Sequence, residues 1–266
     1  MTVFDVLMEG AEHRFCLRHL YANFKKKFGG GSKIRNLMMA AAKATYPQLW
    51  NLRMMELKDL NEAAYEWLMA IPTKSWCRHA FSYYPKCDVL MNNLSESFNA
   101  TILLARDKPI LTMFEWIRTY IMGRFATLNE KFEQYEGDVM PKPLQRLNRE
   151  VEKSGYWVAV RSSDTEYEVT HMVSQDRFTV DLATKASSCN WWDLVGIPCR
   201  HAVAAISDAR GHPADFVYPC YRRSAYERTY RDGISPINGQ LMWPTTEDEY
   251  VNPPLFKRAP GRPRKL

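Results

Sequence analysis

Apolar positions in the first half of the chain recur at helical spacing. In "SKIRNLMMAAAKATY" Ile34, Leu37, Met38 and Ala41 share one face, and Ser32 is placed to cap the helix start. The stretch "PQLWNLRMMELKDLNEAAYEWLMAI" continues the pattern until Pro72, which ends it. "PILTMFEWIRTYIMGRFATLNEKFEQY" predicts a further long helix with Pro109 at its first turn. The period then changes. "GYWVAVRS", "EYEVTHMV" and "RFTVDLAT" are short, rich in Val, Thr and aromatics, and divided by polar or turn residues, so they predict a small antiparallel sheet. "PCRHAVAAI" suits a short helix opened by Pro198, and from Asn238 proline and charge predict an extended tail. The pattern predicts a mostly helical α+β chain without internal repeats. Its divisions fall at 1–135 (helical), 136–182 (small β region), 183–210 (a Cys/His segment) and 211–266 (basic tail).

Composition narrows the class. Hydrophobic residues at 46% and charged residues at 25% are globular rather than disordered values, and 266 residues suffice for one or two real cores. No uncharged apolar run reaches about 18 residues, so no membrane span is expected. The start, "MTVFDVLMEGAEHRF", lacks a basic leader and reads as a chain that begins inside a folded unit. A formal charge of +6 pulls weakly toward an anionic partner such as nucleic acid. Six scattered cysteines without a secretory leader predict reduced thiols, and Cys paired with His points to metal before disulfide.

The densest chemistry lies in "SSCNWWDLVGIPCRHAVAAI". Cys189, Cys199 and His201 have the donor types and spacing of ligands for one zinc ion, one short of the four that close a structural site. The alternative is a metal-free core of buried cysteines. "AEHRFCLRHLYANFKKKF" holds a Cys16-x-x-His19 pair, but two ligands are not a site, so a packing role is expected. "CRH" at 77–79 repeats the Cys-x-His spacing without an upstream cysteine partner and reads as coincidence. At the C-terminus Lys257, Arg258, Arg262, Arg264 and Lys265 place five positive charges in nine residues. Gly261-Arg262-Pro263 matches the core of an AT-hook, whose arginine enters a narrow minor groove, and the same residues would serve as a nuclear localisation signal.

Three stretches in order, "AEHRFCLRHLYANFKKKF", "NNLSESFNATILLARDKPI" and "CNWWDLVGIPCRHAVAAI", together resemble the C-terminal part of a plant Mutator-like element transposase. The resemblance implies a partial RNase H-like region with a helical insertion over 1–135, followed by a SWIM-type zinc finger. Such transposases use two aspartates and a glutamate to hold two divalent metals. Glu96 takes the place of the third acid, whereas both aspartate positions fall ahead of Met1. Asp5 sits within a helical pattern rather than at a strand end. Glu96 is therefore expected to be vestigial, or a cap near Asn93.

The SWIM pattern is Cys-x-Cys, a spacer, then Cys-x-His. The resemblance puts Ser187 at the outer cysteine position, weakening zinc binding, with water, His212 or Cys220 as the fourth ligand. Trp191, Trp192 and Ile197 are expected to form the small module's core. The functional expectation is a zinc-binding, transposase-derived nuclear protein that binds DNA weakly or a protein partner, and no membrane. One rival is a fragment of an active DDE-type transposase. Another is a pure protein-interaction module.

Overall fold

The computed structural model describes residues 11–245 and 247. Helix α1 (Leu17–Phe28) turns Leu17, Leu20 and Phe24 inward at three- and four-residue spacing. Helix α2 (Ser32–Lys43) is capped by the extended Gly31. Ser32 is thus the first helical residue, not the cap, and its hydroxyl makes no capping bond. The next pattern breaks into α3 (Pro47–Leu60) and α4 (Glu62–Met69) at Asn61. Asn61 has an extended backbone, and its side-chain oxygen accepts the Ala64 N–H at 2.9 Å. A side chain able to cap the following turn makes a break cheaper than continuing the helix. Phe24, Met38, Met54, Leu57, Leu68 and Trp76 form the centre of this helical body.

Helices α5 (Asn93–Thr101) and α6 (Ile110–Glu133) follow, the latter with Pro109 as its cap, and neither buries a residue. Helix α7 (Pro141–Ser154) occupies part of the stretch expected to be β. Leu144, Leu147 and Val151 are at helical spacing there, and Leu147 is buried. The sheet then runs β1 (Trp157–Arg161), β2 (Glu166–His171), β3 (Arg177–Asp181), β4 (Ala186–Ser187) as an antiparallel meander. Alternation turns Tyr167 and Val169 of β2, and Val180 of β3, onto one buried face. Helix α8 (Trp191–Val195) and helix α9 (Arg200–Asp208) close that face.

Folding continues past residue 210, where a tail was expected. Two tight turns, Pro213–Phe216 and Pro219–Tyr221, lead to α10 (Arg223–Tyr230), and Val217 between the turns is fully buried. Asp5 and the basic residues Lys257, Arg258, Arg262, Arg264 and Lys265 lie outside the described residues. No described helix is long and apolar enough to cross a membrane.

The Cys/His segment is not a separate small module. Leu194, Val195, Ile197 and Val203 belong to the helical body's core, while Trp192, Cys189, Cys199 and Ile206 belong to the sheet's core. Trp191 touches both. A buried ionic knot secures the joint. Asp88 accepts from Arg78 at 2.8 Å and from Arg146 of α7 at 3.1 Å, and Arg78 also bonds the Asp88 carbonyl at 2.9 Å. Both guanidinium groups lie over the Trp191 ring, at 5.7 and 5.5 Å. Removing the carboxylate leaves two cations facing each other in a partly desolvated joint. Asp88→Ala is expected to lower unfolding free energy by about 3 kcal/mol in urea titrations, the low end for a broken buried pair because Arg146 is partly exposed.

Candidate metal centre

The geometry of the centre begins with the β3–β4 hairpin. Val180 pairs with Ser187, and the Thr179 N–H donates to the Ser188 hydroxyl at 2.9 Å, extending the pairing by one residue. The chain then bends at Asn190, which adopts a left-handed conformation and donates its N–H to the Ser187 carbonyl at 2.7 Å. This bend turns Cys189 under the sheet, and Thr45, just past α2, donates to the Cys189 carbonyl at 2.6 Å. Helix α8 stops at Gly196, whose φ of +75° suits glycine. A Cβ there would also meet Tyr218 at 2.8 Å. Pro198 then sets Cys199 as the cap of α9, where its sulfur accepts the Ala202 N–H at 3.4 Å. His201 follows in the first turn.

This path brings Cys189, Cys199 and His201 together, with one ligand atom from each within 4.8 Å of the others. The Cys199 sulfur is 3.7 Å from His201 Nδ1, and the Ser187 hydroxyl donates to the Cys189 sulfur at 3.5 Å. A tetrahedral ion with Zn–S near 2.3 Å and Zn–N near 2.0 Å sets its ligands about 3.3–3.8 Å apart, so the spacing fits. Ser187 is buried with the other three. Its hydroxyl is thus beside the Cys189 sulfur within the same buried pocket. His212 and Cys220, offered as replacements, are exposed and are not part of the cluster.

Aromatic walls fix the histidine. Phe178 stacks on the His201 ring at 4.2 Å, and Trp157 meets it edge-on at 4.2 Å. Glu150 of α7, itself buried, accepts the Arg200 N–H at 3.2 Å and Arg200 Nε at 3.0 Å, pinning the start of α9. The two thiols are shifted in opposite directions. A hydrogen bond from Cys199, aided by His201, pulls the Cys189 thiol well below its usual range, while burial and the neighbouring thiolate push Cys199 well above. A cation relieves this arrangement by making both sulfurs anionic at once.

Elsewhere, Cys77 and His79 are no ligand pair. Cys77 is buried and accepts from Trp50 Nε1 at 3.1 Å, burial pushes its thiol up, and His79 packs on the Trp50 ring. Cys16 and His19 acquire a third neighbour, Glu96, and these three form the second ligand cluster among the described residues. Glu96 does not cap a helix. It lies in the first turn of α5, and its carboxylate accepts from Arg18 at 2.9 Å. Sequence reasoning did not single out Glu150, Trp157 or Phe178. Their strand and helix patterns placed them in elements but carried no sign of which loop those elements would face.

Residues 178–209 match the family model of the SWIM zinc finger. Neither the curated proteins nor the solved structures yield a match to this chain. The chain therefore carries a SWIM zinc finger, which takes in β3 and β4 as well as the segment from 183, and zinc is its cofactor. Two thiolates and an imidazole are the soft and borderline donors that this ion prefers.

Two outcomes are expected at this centre. Restoring a thiolate with Ser187→Cys should tighten zinc binding by at least about tenfold and raise Tm with metal present, whereas Cys199→Ala should release the ion. Competition with a chromophoric chelator and metal analysis by mass spectrometry measure both. Because the ion takes both sulfurs as thiolates, zinc binding should release protons and affinity should fall as pH drops. Calorimetry in two buffers of different ionisation heat counts the protons released.

Proposed function

We propose that this chain is a Mutator-like transposase derivative turned to binding: a zinc-stabilised module that holds nucleic acid and performs no strand transfer. In this reading the helical part derives from an RNase H-like region with its helical insertion. The observation that carries it is the setting of Glu96. A two-metal phosphodiester centre needs several carboxylates around hard cations. Glu96 instead faces Cys16, His19 and Arg18, and no acidic cluster stands beside it among the described residues.

Charge favours an anionic partner. The five basic residues from Lys257 to Lys265 contain no acid among them, and Arg262 sits in the Gly-Arg-Pro context that suits a narrow A·T-rich groove. The same residues would direct the protein to the nucleus. The finger's role is to brace the body rather than to read bases, since all three of its ligands are buried.

DNA binding measured over a salt series tests this. The full chain should lose affinity with a log–log slope of about −0.9 per neutralised phosphate. Deleting residues 257–266 should flatten that slope, and Arg262→Ala should reduce the preference for A·T-rich duplexes. Unchanged binding after the deletion would remove the tail from the reading, and no DNA binding at all would favour a protein-interaction module. In Mg²⁺ or Mn²⁺ the chain should cleave no DNA above a Glu96→Ala control. Cleavage abolished by Glu96→Ala would instead identify a fragment of an active nuclease.

A further inference from the structure

We propose that Cys16, His19 and Glu96 form a second metal site, holding one zinc-class divalent ion on the surface that joins α1 to α5. One ligand atom from each lies within 4.8 Å of the others, although Glu96 is far from the other two in sequence. His19 Nε2 is 3.9 Å from Glu96 Oε1, a modest closure away from the spacing of two ligands on one ion.

The surroundings are arranged for ligation. Arg18 bonds Glu96 Oε2 at 2.9 Å and thereby orients the carboxylate with Oε1 toward His19, the work usually done by a partner outside the ligand shell. Cys16 is the residue before α1, and the Asn92 N–H donates to its sulfur at 3.4 Å. That bond and the amides of Arg18 and His19 outweigh burial and hold its thiol below the ordinary range. A thiolate, an imidazole and a carboxylate together select a zinc-class ion over Mg²⁺, which takes oxygen ligands. Three protein ligands leave one position open, and Cys16 borders a groove of about 730 Å³ that includes Arg14, Tyr84 and Asn92.

The site also answers a packing problem. Helix α5 has nine residues and buries none of them, and an isolated helix of that length is not stable in water. The ties to α1 converge on one corner: Leu17 N–H to the Leu90 carbonyl at 2.7 Å, Asn92 to Cys16, and Arg18 to Glu96. An ion there would fasten α5 directly to the first turn of α1, which Leu17 and Leu20 anchor in the core. It uses none of the SWIM finger's ligands and none of the basic tail, and shares only Glu96 with the reading proposed above.

Cobalt titration of the metal-free full chain tests the site, with hydrogen exchange of residues 93–101 as the second readout. The parent should take up two equivalents of Co²⁺. Cys16→Ser, His19→Ala and Glu96→Gln should each weaken one of them more than about tenfold, since losing a ligand exceeds the loss of an outer-shell partner. The finger's own thiolate-to-cobalt absorption should persist in all three, which also reports that they are folded. Conversely, Cys199→Ser should retain the Cys16-dependent equivalent. Zinc should slow exchange across 93–101 in the parent and not in the three variants. Uptake of a single equivalent by the parent overturns the proposal. So does a second equivalent that none of the three substitutions weakens, or unchanged exchange of α5 on adding zinc.

Discussion

Burial of one cluster of ligating atoms that can bond little besides one another is the constraint from which this structure follows. Ser187, Cys189, Cys199 and His201 lie buried beneath a sheet, with His201 against Trp157 and Phe178. Two sulfurs, an imidazole and a hydroxyl satisfy one another poorly at 3.5 and 3.7 Å, and a divalent cation would engage both sulfurs and the imidazole at once. The elements around the cluster serve this end. The left-handed turn at Asn190 brings Cys189 under the sheet, and the cap position of α9 aims Cys199 and His201 at the same point. Glu150 keeps that helix start from drifting.

Bonds of different kinds then carry the finger's position into the helical body. Thr45 grips the Cys189 carbonyl, the Lys86 ammonium donates to the Asp193 carbonyl at 2.8 Å, and Trp191 lies under two arginines that share Asp88. Each links a residue of the finger, or a residue that touches it, to a helix or loop distant in sequence. Apolar contact would hold these parts together at many rotations. The directional bonds select one, because a hydrogen bond weakens steeply with angle and a buried ion pair must keep its partner.

Legibility in the sequence followed how local each cause was. Helices α2, α6 and α9, the apolar run that became α3 and α4, and the three main strands could be read because their periodicities are properties of the segments themselves. The break at Asn61 and the cap at Gly31 were not, since an uninterrupted apolar pattern conceals a short capped interruption. Helix α7 was hidden because Pro141, Pro143 and several charges mask Leu144 and Leu147. Cys189, Cys199 and His201 stood out by residue type and spacing. Glu150 and Phe178 did not, because a common glutamate and a strand phenylalanine acquire their meaning only from what packs opposite. For Glu96 the missing knowledge was its neighbours, which lie in a segment near the other end of the helical body.

The manner in which α8 and α9 are buried decides how portable the finger is. The matched segment, 178–209, ends neither core. Excised, it would expose Leu194, Val195, Ile197 and Val203 on one side and lose Trp157, Tyr167 and Val169 from the other. A stretch that is a unit of sequence is here only a shared wall between two interiors. Grafting it to another scaffold would require carrying α7 and the first two strands with it, together with a replacement for the helical surface that α8 covers.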